Sequence, residues 1–274
     1  MRRLLTNEGK SFVRFYDYPL RQAAVIQGQQ MKASVLFSHA TGFHGRVFDK
    51  TINDLDPSQF SCYTFDQRGH GQSPWPEGVP QQGDTLSNWD GFGADVLQMG
   101  RYVQQQHPHT DSCATGGVVG VGHSQGASAL LLAALQQPNL FSALVLYEPV
   151  VFPPLWRGLS KAFSLFSESP LALSARKRRM EFSSLQDALK NFASKPPMNT
   201  FHADVLEDYV RHGTAAVAGE GVIEGGHVRE EDNSSGDQGP VRLLCDPNVE
   251  VSGAAAVDIA SSPLFSCGGV GMSV

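Results

Sequence analysis

The feature that most constrains this chain is a serine set between two glycines, Gly122-His123-Ser124-Gln125-Gly126, where a strand pattern gives way to a helix pattern. Val118 to Val121 is a short apolar run typical of a buried strand, and Ala127 to Gln136 has the small and apolar residues of a helix. A serine on such a turn is exposed in a strained backbone conformation, and the flanking glycines let strand and helix approach closely. The pattern predicts a nucleophile at Ser124.

A glycine-rich dinucleotide loop is the competing interpretation of the same residues. That loop requires the spacing G-x-G-x-x-G after a strand. Gly120 to Gly126 has one residue too many before its third glycine. The serine interpretation is therefore preferred.

Short apolar strands alternate with helical patterns through the first half of the chain. An opening hairpin is predicted from Ser11 to Tyr18 and Gln22 to Gln27. Alternation of this kind predicts a mostly parallel sheet flanked by helices. The further predicted strands are Ala33 to Ser38, Phe60 to Phe65 and Ala143 to Leu146, and the further predicted helices are Phe48 to Leu55 and Thr85 to Gln106.

The second half of the chain loses this alternation after Pro153-Pro154. Helical patterns broken by Pro and Ser, with no clear strand, predict a cap over residues 151–215, following a core of residues 1–150. Residues 216–240 are rich in Gly, Glu, Asp and Ser and are predicted to be a flexible acidic loop. Residues 241–274 are treated as an atypical C-terminal segment, because the apolar residues of the tail from Val251 show no sustained helical or strand periodicity.

Composition and charge narrow the function classes. The formal net charge is −6 and no basic stripe is present, so a nucleic-acid partner is not expected. The cysteines are scattered without a paired motif, which fits a reducing compartment. Neither a signal peptide nor a transmembrane run is apparent, so a cytoplasmic location is predicted. His107-Pro108-His109 lacks an accompanying acidic or cysteine ligand, and no metal or cofactor is expected.

Three motifs in order along the chain resemble those of the α/β-hydrolase superfamily. They are His39-Ala40-Thr41-Gly42, then Asp66-x-Arg68-Gly69-His70-Gly71-x-Ser73, and then Gly122-His123-Ser124-Gln125-Gly126. The resemblance spans residues 11–213. It implies the α/β-hydrolase fold with a helical cap and, for a member with a serine elbow, acyl transfer to that serine.

The resemblance also implies roles for individual residues. Ser124 is the expected nucleophile, and the backbone N–H of Gln125 is one expected oxyanion donor. The second donor is expected at Thr41, with Gly42 and Phe43 as alternatives because Ala40 departs from the usual glycine. The histidines of the three motifs are expected to be scaffold residues; they are His39, His70 and His123. The guanidinium of Arg68 is expected to donate paired hydrogen bonds to a carboxylate or to backbone carbonyls.

The acid and base of a catalytic triad are not identified. In the family the acid normally follows a strand after the cap and the histidine follows the last strand, and this sequence shows no such succession. Glu148 and Asp246 remain as candidates for the acid, and His227 remains as a candidate for the base. We therefore expect the usual C-terminal strands to be missing, as in a truncated isoform or an alternative C-terminus.

The resulting functional expectation is a serine esterase or lipase-like hydrolase acting on a small or lipid-like carboxylic ester or thioester. The apolar segment Leu155 to Phe166 in the predicted cap motivates the lipid-like substrate. The alternative is a catalytically inactive hydrolase-like binding protein, which keeps the serine turn without the acid and base. Oligomeric state and substrate identity are left open.

Overall fold

A computed structural model describes residues 2–6, 11–18, 33–79, 85–106, 118–151, 175–217, 239–245 and 247 of the 274-residue chain. A six-stranded sheet dominates this part of the chain, with the strand order β1-β2-β4-β3-β5-β6. Strands β3 to β6 pair in parallel, and β2 joins β4 antiparallel. The strands are β1 (Arg2–Leu5), β2 (Phe12–Tyr18), β3 (Ala33–Ser38), β4 (Phe60–Asp66), β5 (Val118–His123) and β6 (Phe141–Tyr147).

The first strand of the predicted opening hairpin, Ser11 to Tyr18, is present as β2, but it pairs with an additional strand that the sequence prediction did not include. Strand β2 pairs antiparallel with Arg2–Leu5, from Arg2 opposite Phe15 to Leu5 opposite Phe12. The prediction missed β1 because two arginines and two leucines in a row give no alternating pattern. The segment Gln22 to Gln27 lies outside the described residues.

Helices cover the sheet as the alternating pattern predicts. They are α1 (Asp49–Asn53), preceded by a 3-10 turn at Gly45–Phe48, α2 (Thr85–Gln106) and α3 (Gln125–Gln136). The main core lies between the sheet and helices α2 and α3, and it includes Phe15, Phe65, Trp89 and Leu130. The prediction of a parallel sheet flanked by helices is confirmed.

A second, smaller core lies in the region predicted as a helical cap. It contains helices α4 (Leu185–Ala193) and α5 (Ala203–Gly213), whose buried faces pack together. A three-stranded sheet accompanies them, with β9 (Val241–Leu243) between β7 (Glu181–Phe182) and β8 (Thr214–Ala216). The expectation of no strand here was wrong, because strands of two or three residues are too short to show a period.

The remaining predictions for the C-terminal half lie outside the described residues. These are the apolar cap segment Leu155 to Phe166, most of the acidic loop and the tail from Val251. None of the helices that the structure describes is long and apolar enough to cross a membrane.

Candidate active site

The predicted site residues come together at one edge of the sheet. Strands β3 and β5 are parallel neighbours, with Ser38 opposite Gly122, so the His39 loop and the Ser124 turn leave the sheet side by side. Strand β4 lies on the other side of β3 and ends at Asp66, while β6 lies beyond β5 with Tyr147 opposite His123. The carboxyl edge of a parallel sheet is where α/β proteins build their sites.

Ser124 lies on a sharp turn between β5 and α3. Its backbone angles are φ 51° and ψ −119°, a left-handed conformation that an L-residue with a side chain adopts only under strain. Its N–H donates to the carbonyl of Tyr147 at 2.9 Å, which ties the turn to the end of β6. Its side chain makes no hydrogen bond that caps α3, so Ser124 Oγ is left available for chemistry.

The glycines on either side of Ser124 are required by close backbone contacts. A Cβ on Gly122 would lie 2.7 Å from the backbone of Ala127, in the first turn of α3. A Cβ on Gly126 would lie 2.2 Å from the carbonyl oxygen of Ser38, at the end of β3. Both gaps are far too short for a methyl group, so glycine at 122 lets β5 approach helix α3 and glycine at 126 lets the helix approach the end of β3.

The first residue of α3 presents a backbone donor next to the serine. Gln125 follows Ser124 directly, and no described residue accepts a hydrogen bond from its N–H. The first N–H groups of a helix have no partner within the helix, and the helix dipole places partial positive charge there. The start of α3 can therefore stabilise negative charge that develops beside Ser124.

The loop after β3 supplies the second face of this site. Thr41 lies in a tight turn with Gly42, whose φ of 77° suits glycine. The N–H of Phe43 already donates to the carbonyl of Ala40 at 3.2 Å. That bond disfavours Phe43 as an oxyanion donor and leaves Thr41 and Gly42 as the candidates.

The histidines of the first two motifs are buried scaffold groups, as expected. His39 Nδ1 donates to the carbonyl of Ala40 at 2.7 Å, and His70 Nδ1 donates to that of Arg68 at 3.0 Å. Burial lowers the pKa of His39 well below its ordinary value and lowers the pKa of His70 to about 4. Both rings are therefore neutral near pH 7 and fixed in one tautomer.

Glu148 and His123 form a loose pair on the other side of Ser124. Glu148 has a φ of 47°, and its carboxylate oxygen Oε2 lies 3.9 Å from His123 Nε2. This distance exceeds that of a hydrogen bond. Burial lowers the pKa of His123. Among the described residues, none forms a hydrogen bond with Ser124 Oγ, and His227 and Asp246 lie outside them.

Arg68 and Gln67 are the residues of the second motif that the structure defines most clearly. Arg68 forks to the carboxylate of Asp95 in helix α2, which confirms the expected structural role. Gln67, which occupied an unspecified motif position, is fully buried and bonds to residues on both sides of the site. Sequence reasoning missed it. The available signal was a polar residue directly after a buried strand, at the sheet edge that carries Ser124.

Two carboxylates and a histidine, none of them in the serine motif, form a group with the side-chain types of a metal site. The ligand atoms of Asp49, Asp208 and His212 lie within 4.8 Å of one another. Asp49, however, already accepts bonds from Tyr18 Oη and Arg46 Nε. The guanidinium of Arg46 thus already supplies positive charge to the Asp49 carboxylate, without a cation.

Comparison with known proteins places this geometry in a family. The family model described as serine aminopeptidase, S33, matches residues 29–219, which include the His39 loop, the Ser124 turn and the predicted cap of residues 151–215. The chain belongs to this family. The chain has the α/β-hydrolase fold, as the family match and the observed strand order both indicate.

Curated relatives are similar to part of this chain. Monoglyceride lipase of Rattus norvegicus is 30% identical over 120 residues, which are 44% of this chain and 36% of the relative. The monoglyceride lipase homolog of Monkeypox virus is 31% identical over 120 residues, 44% of this chain and 39% of the relative. The matched part thus spans well under half the length of these relatives.

Among solved structures, the peroxisomal alpha-beta-hydrolase of Saccharomyces cerevisiae superimposes with a TM-score of 0.56 at 19% identity. The superposition covers 88% of this chain and 59% of the yeast protein. At this identity the likeness concerns the fold alone.

Proposed function

We propose that this chain is a serine hydrolase that cleaves a carboxylic ester or thioester through an acyl intermediate on Ser124. The observation that carries the proposal is the strained backbone of Ser124 directly before helix α3 and beside the Thr41 loop. This arrangement supports a nucleophile next to donors for an oxyanion.

The proposed reaction begins with attack of Ser124 Oγ on the acyl carbon, while the hydroxyl proton passes to a base. The N–H groups of Gln125 and Thr41 would hold the resulting oxyanion. The bond to the leaving alcohol or thiol then breaks, the leaving group takes up a proton, and an acyl ester on Ser124 remains. Water attacks that ester in the second half of the reaction and releases the carboxylic acid.

An acyl chain is the substrate class that we propose. Aromatic residues of the cap cover the oxyanion loop, since the ring of Phe43 lies 6.0 Å from that of Phe201 and 5.1 Å from that of Tyr209. These packed rings give the loop that carries Thr41 an apolar setting, which favours a lipid-like acyl group over a charged one. The names of the monoglyceride lipase relatives support a monoacyl glycerol ester as the first substrate to assay.

The test is labelling by a fluorophosphonate probe, which reacts with activated serines. We expect the wild-type chain to gain one phosphonyl adduct, the mass of the probe less HF, and the Ser124→Ala variant to gain none. The control Ser142→Ala, on strand β6, should react as the wild type does. Peptide mapping should place the adduct on Ser124. Absence of labelling in a folded wild-type chain would contradict the proposal.

The second candidate is a binding protein that retains the fold without turnover. It is favoured by the absence, among the described residues, of a base bonded to Ser124 Oγ. A monoacyl glycerol ester would then raise the melting temperature by binding the folded state, without releasing acid. Release of fatty acid by the wild type and not by Ser124→Ala would exclude this candidate.

A further inference from the structure

We infer that Gln67 is a positioning residue that fixes the two sides of the oxyanion hole relative to each other. These sides are the His39 loop, which carries Thr41, and the start of helix α3 at Gln125. The inference rests on the proposed function, because it assigns Gln67 to the site around Ser124. Gln67 directly follows strand β4, between the His39 loop and helix α3, and none of its side chain is exposed.

One side of the link reaches the end of β3 and the start of the His39 loop, through one bond to Ser38 and two to His39. The backbone N–H of Gln67 donates to His39 Nε2 at 2.9 Å, and the side-chain Nε2 of Gln67 donates to the carbonyl oxygen of His39. The same Nε2 lies 3.4 Å from Ser38 Oγ. Since Thr41 is two residues beyond His39, these bonds fix the start of the loop that carries the second oxyanion donor.

The other side of the link reaches helix α3. Gln125 Nε2 donates to Gln67 Oε1 at 3.1 Å, and Gln125 is the residue whose own N–H is the first oxyanion donor. The side chain of Gln125 is fully buried, and this is its only hydrogen bond among the described residues. A buried amide without a partner would be costly, so the bond to Gln67 is needed to keep Gln125 in place.

The amide of Gln67 can adopt only one orientation in this network. A carbonyl oxygen only accepts, so the group that meets the His39 carbonyl must be the amide NH2. The amide oxygen is then left for Gln125, as observed. Because one planar group bonds to both sides, a shift of the loop relative to the helix would break a bond on one side or the other.

Strand pairing and packing do not replace this link. The contact between Gly126 and the Ser38 carbonyl limits how closely helix α3 approaches β3, but it does not prevent them from moving apart. The pairing of β3 with β5 ends at Ser38 and Gly122, and beyond that point the hydrogen bonds through Gln67 hold the His39 loop to helix α3. Oxyanion donors act by preorganisation, and displacement of about 1 Å can lower a rate by about 100-fold.

The experiment compares Gln67→Leu, Gln125→Met and the double variant with wild type. We expect each single variant to lower the fluorophosphonate labelling rate by about 10- to 100-fold. We also expect it to lower kcat for a p-nitrophenyl ester with little change in KM. The double variant should be no slower than the slower single variant, because both remove the same link.

Hydrogen exchange provides a readout that does not need activity. Deuterium uptake in segments 38–43 and 122–128 should rise together in Gln67→Leu. Ser73→Ala is the matched control, because Ser73 lies in the same loop after β4 as Gln67. Its Oγ accepts from the N–H of Arg14 and donates to the carbonyl of Asp66, and it does not bond to helix α3. This control should lower the melting temperature without a specific loss of labelling rate.

The outcomes separate the inference from the proposed function. A wild-type chain that never reacts contradicts the hydrolase proposal, whereas a joint rise in uptake still upholds the link through Gln67. Unchanged uptake in either segment, or fully additive effects in the double variant, would overturn the inference.

Discussion

Arg68 and Asp95 form a buried ion pair with two parallel hydrogen bonds. Arg68 Nε donates to Asp95 Oδ2 at 2.6 Å, and Arg68 Nη2 donates to Oδ1 at 2.7 Å. The pair fastens the loop after β4 to helix α2. Gly91 leaves room for it, because a Cβ there would lie 2.4 Å from Arg68 Nη1. The loop that carries Gln67 is therefore anchored at its next residue by a charge-assisted contact.

Replacing Asp95 with Asn should destabilise the fold strongly, because the guanidinium of Arg68 would remain buried without its counter-charge. We expect the free energy of unfolding to fall by about 3 to 5 kcal/mol in urea titration. The control is Asp54→Asn, which breaks the exposed Lys50–Asp54 pair and should cost less than about 1 kcal/mol. Equal effects of the two substitutions would contradict the assigned role of the buried pair.

Replacing Gly126 with Ala tests the close approach of helix α3 to strand β3. The new methyl group would overlap the carbonyl oxygen of Ser38, a backbone atom that cannot move without shifting β3. We expect a loss of about 1 to 3 kcal/mol in stability, measured by chemical denaturation. Gly239→Ala is the control, since nothing lies within 4 Å of its added Cβ. A Gly126→Ala variant as stable as this control would show that the contact is not limiting.

Much of the core fold was predictable because buried parallel strands and long helices leave strong periodic signals. The bounds of β3 and α2 agree with the pattern to the residue. The pairing of β2 with Arg2–Leu5 and the small sheet of the cap were not predictable. Strands β1, β7, β8 and β9 have only two to four residues each. Tertiary contacts therefore determine where these strands form more than the local sequence does.

The residues of the candidate site could be predicted from the sequence where close backbone contacts allow only one residue type. Gly122 and Gly126 are required by contacts with Ala127 and Ser38, and such requirements leave a motif in the sequence. Gln67 left no motif, because its role depends on a partner 58 positions away in the chain. That partner is identified only when the parallel order of β4, β3 and β5 is known.

His70 should make the fold sensitive to acid. Burial, together with the nearby charges of His44 and Arg178, lowers the pKa of His70 to about 4 in the folded chain, whereas an unfolded histidine titrates near 6.5. Between these values the unfolded state binds more protons. The contribution of His70 is thus fully present above about pH 6.5 and is lost as the pH falls toward 4.

His70→Asn should remove this part of the pH dependence, because asparagine can still donate to the carbonyl of Arg68 but does not titrate. The difference in unfolding free energy between pH 7 and pH 4 should shrink by up to about 3 kcal/mol, measured by urea titration at each pH. The exposed His202 provides the control His202→Asn. An unchanged slope in His70→Asn would show that other groups carry the acid sensitivity.

The two edges of the six-stranded sheet differ in how they are protected. Strand β1 has four residues, and two of them are arginines. Strand β6 has seven residues without a charge and bonds only to β5 among the described strands. On its outer face Val145 is 56% exposed and Tyr147 is 63% exposed. Uncharged apolar edges of this length favour association with other chains.

Val145→Lys should therefore reduce self-association, because a charge on the edge strand opposes pairing with a second chain. Sedimentation velocity over a range of concentrations should show less dimer and larger species than in wild type, with the melting temperature nearly unchanged. Leu5→Lys is the matched control, since Leu5 is 65% exposed on the edge strand that arginines already protect. If both lysine variants reduce association equally, net charge and not the β6 edge is responsible, and a wild type that stays monomeric at all concentrations would contradict the prediction outright.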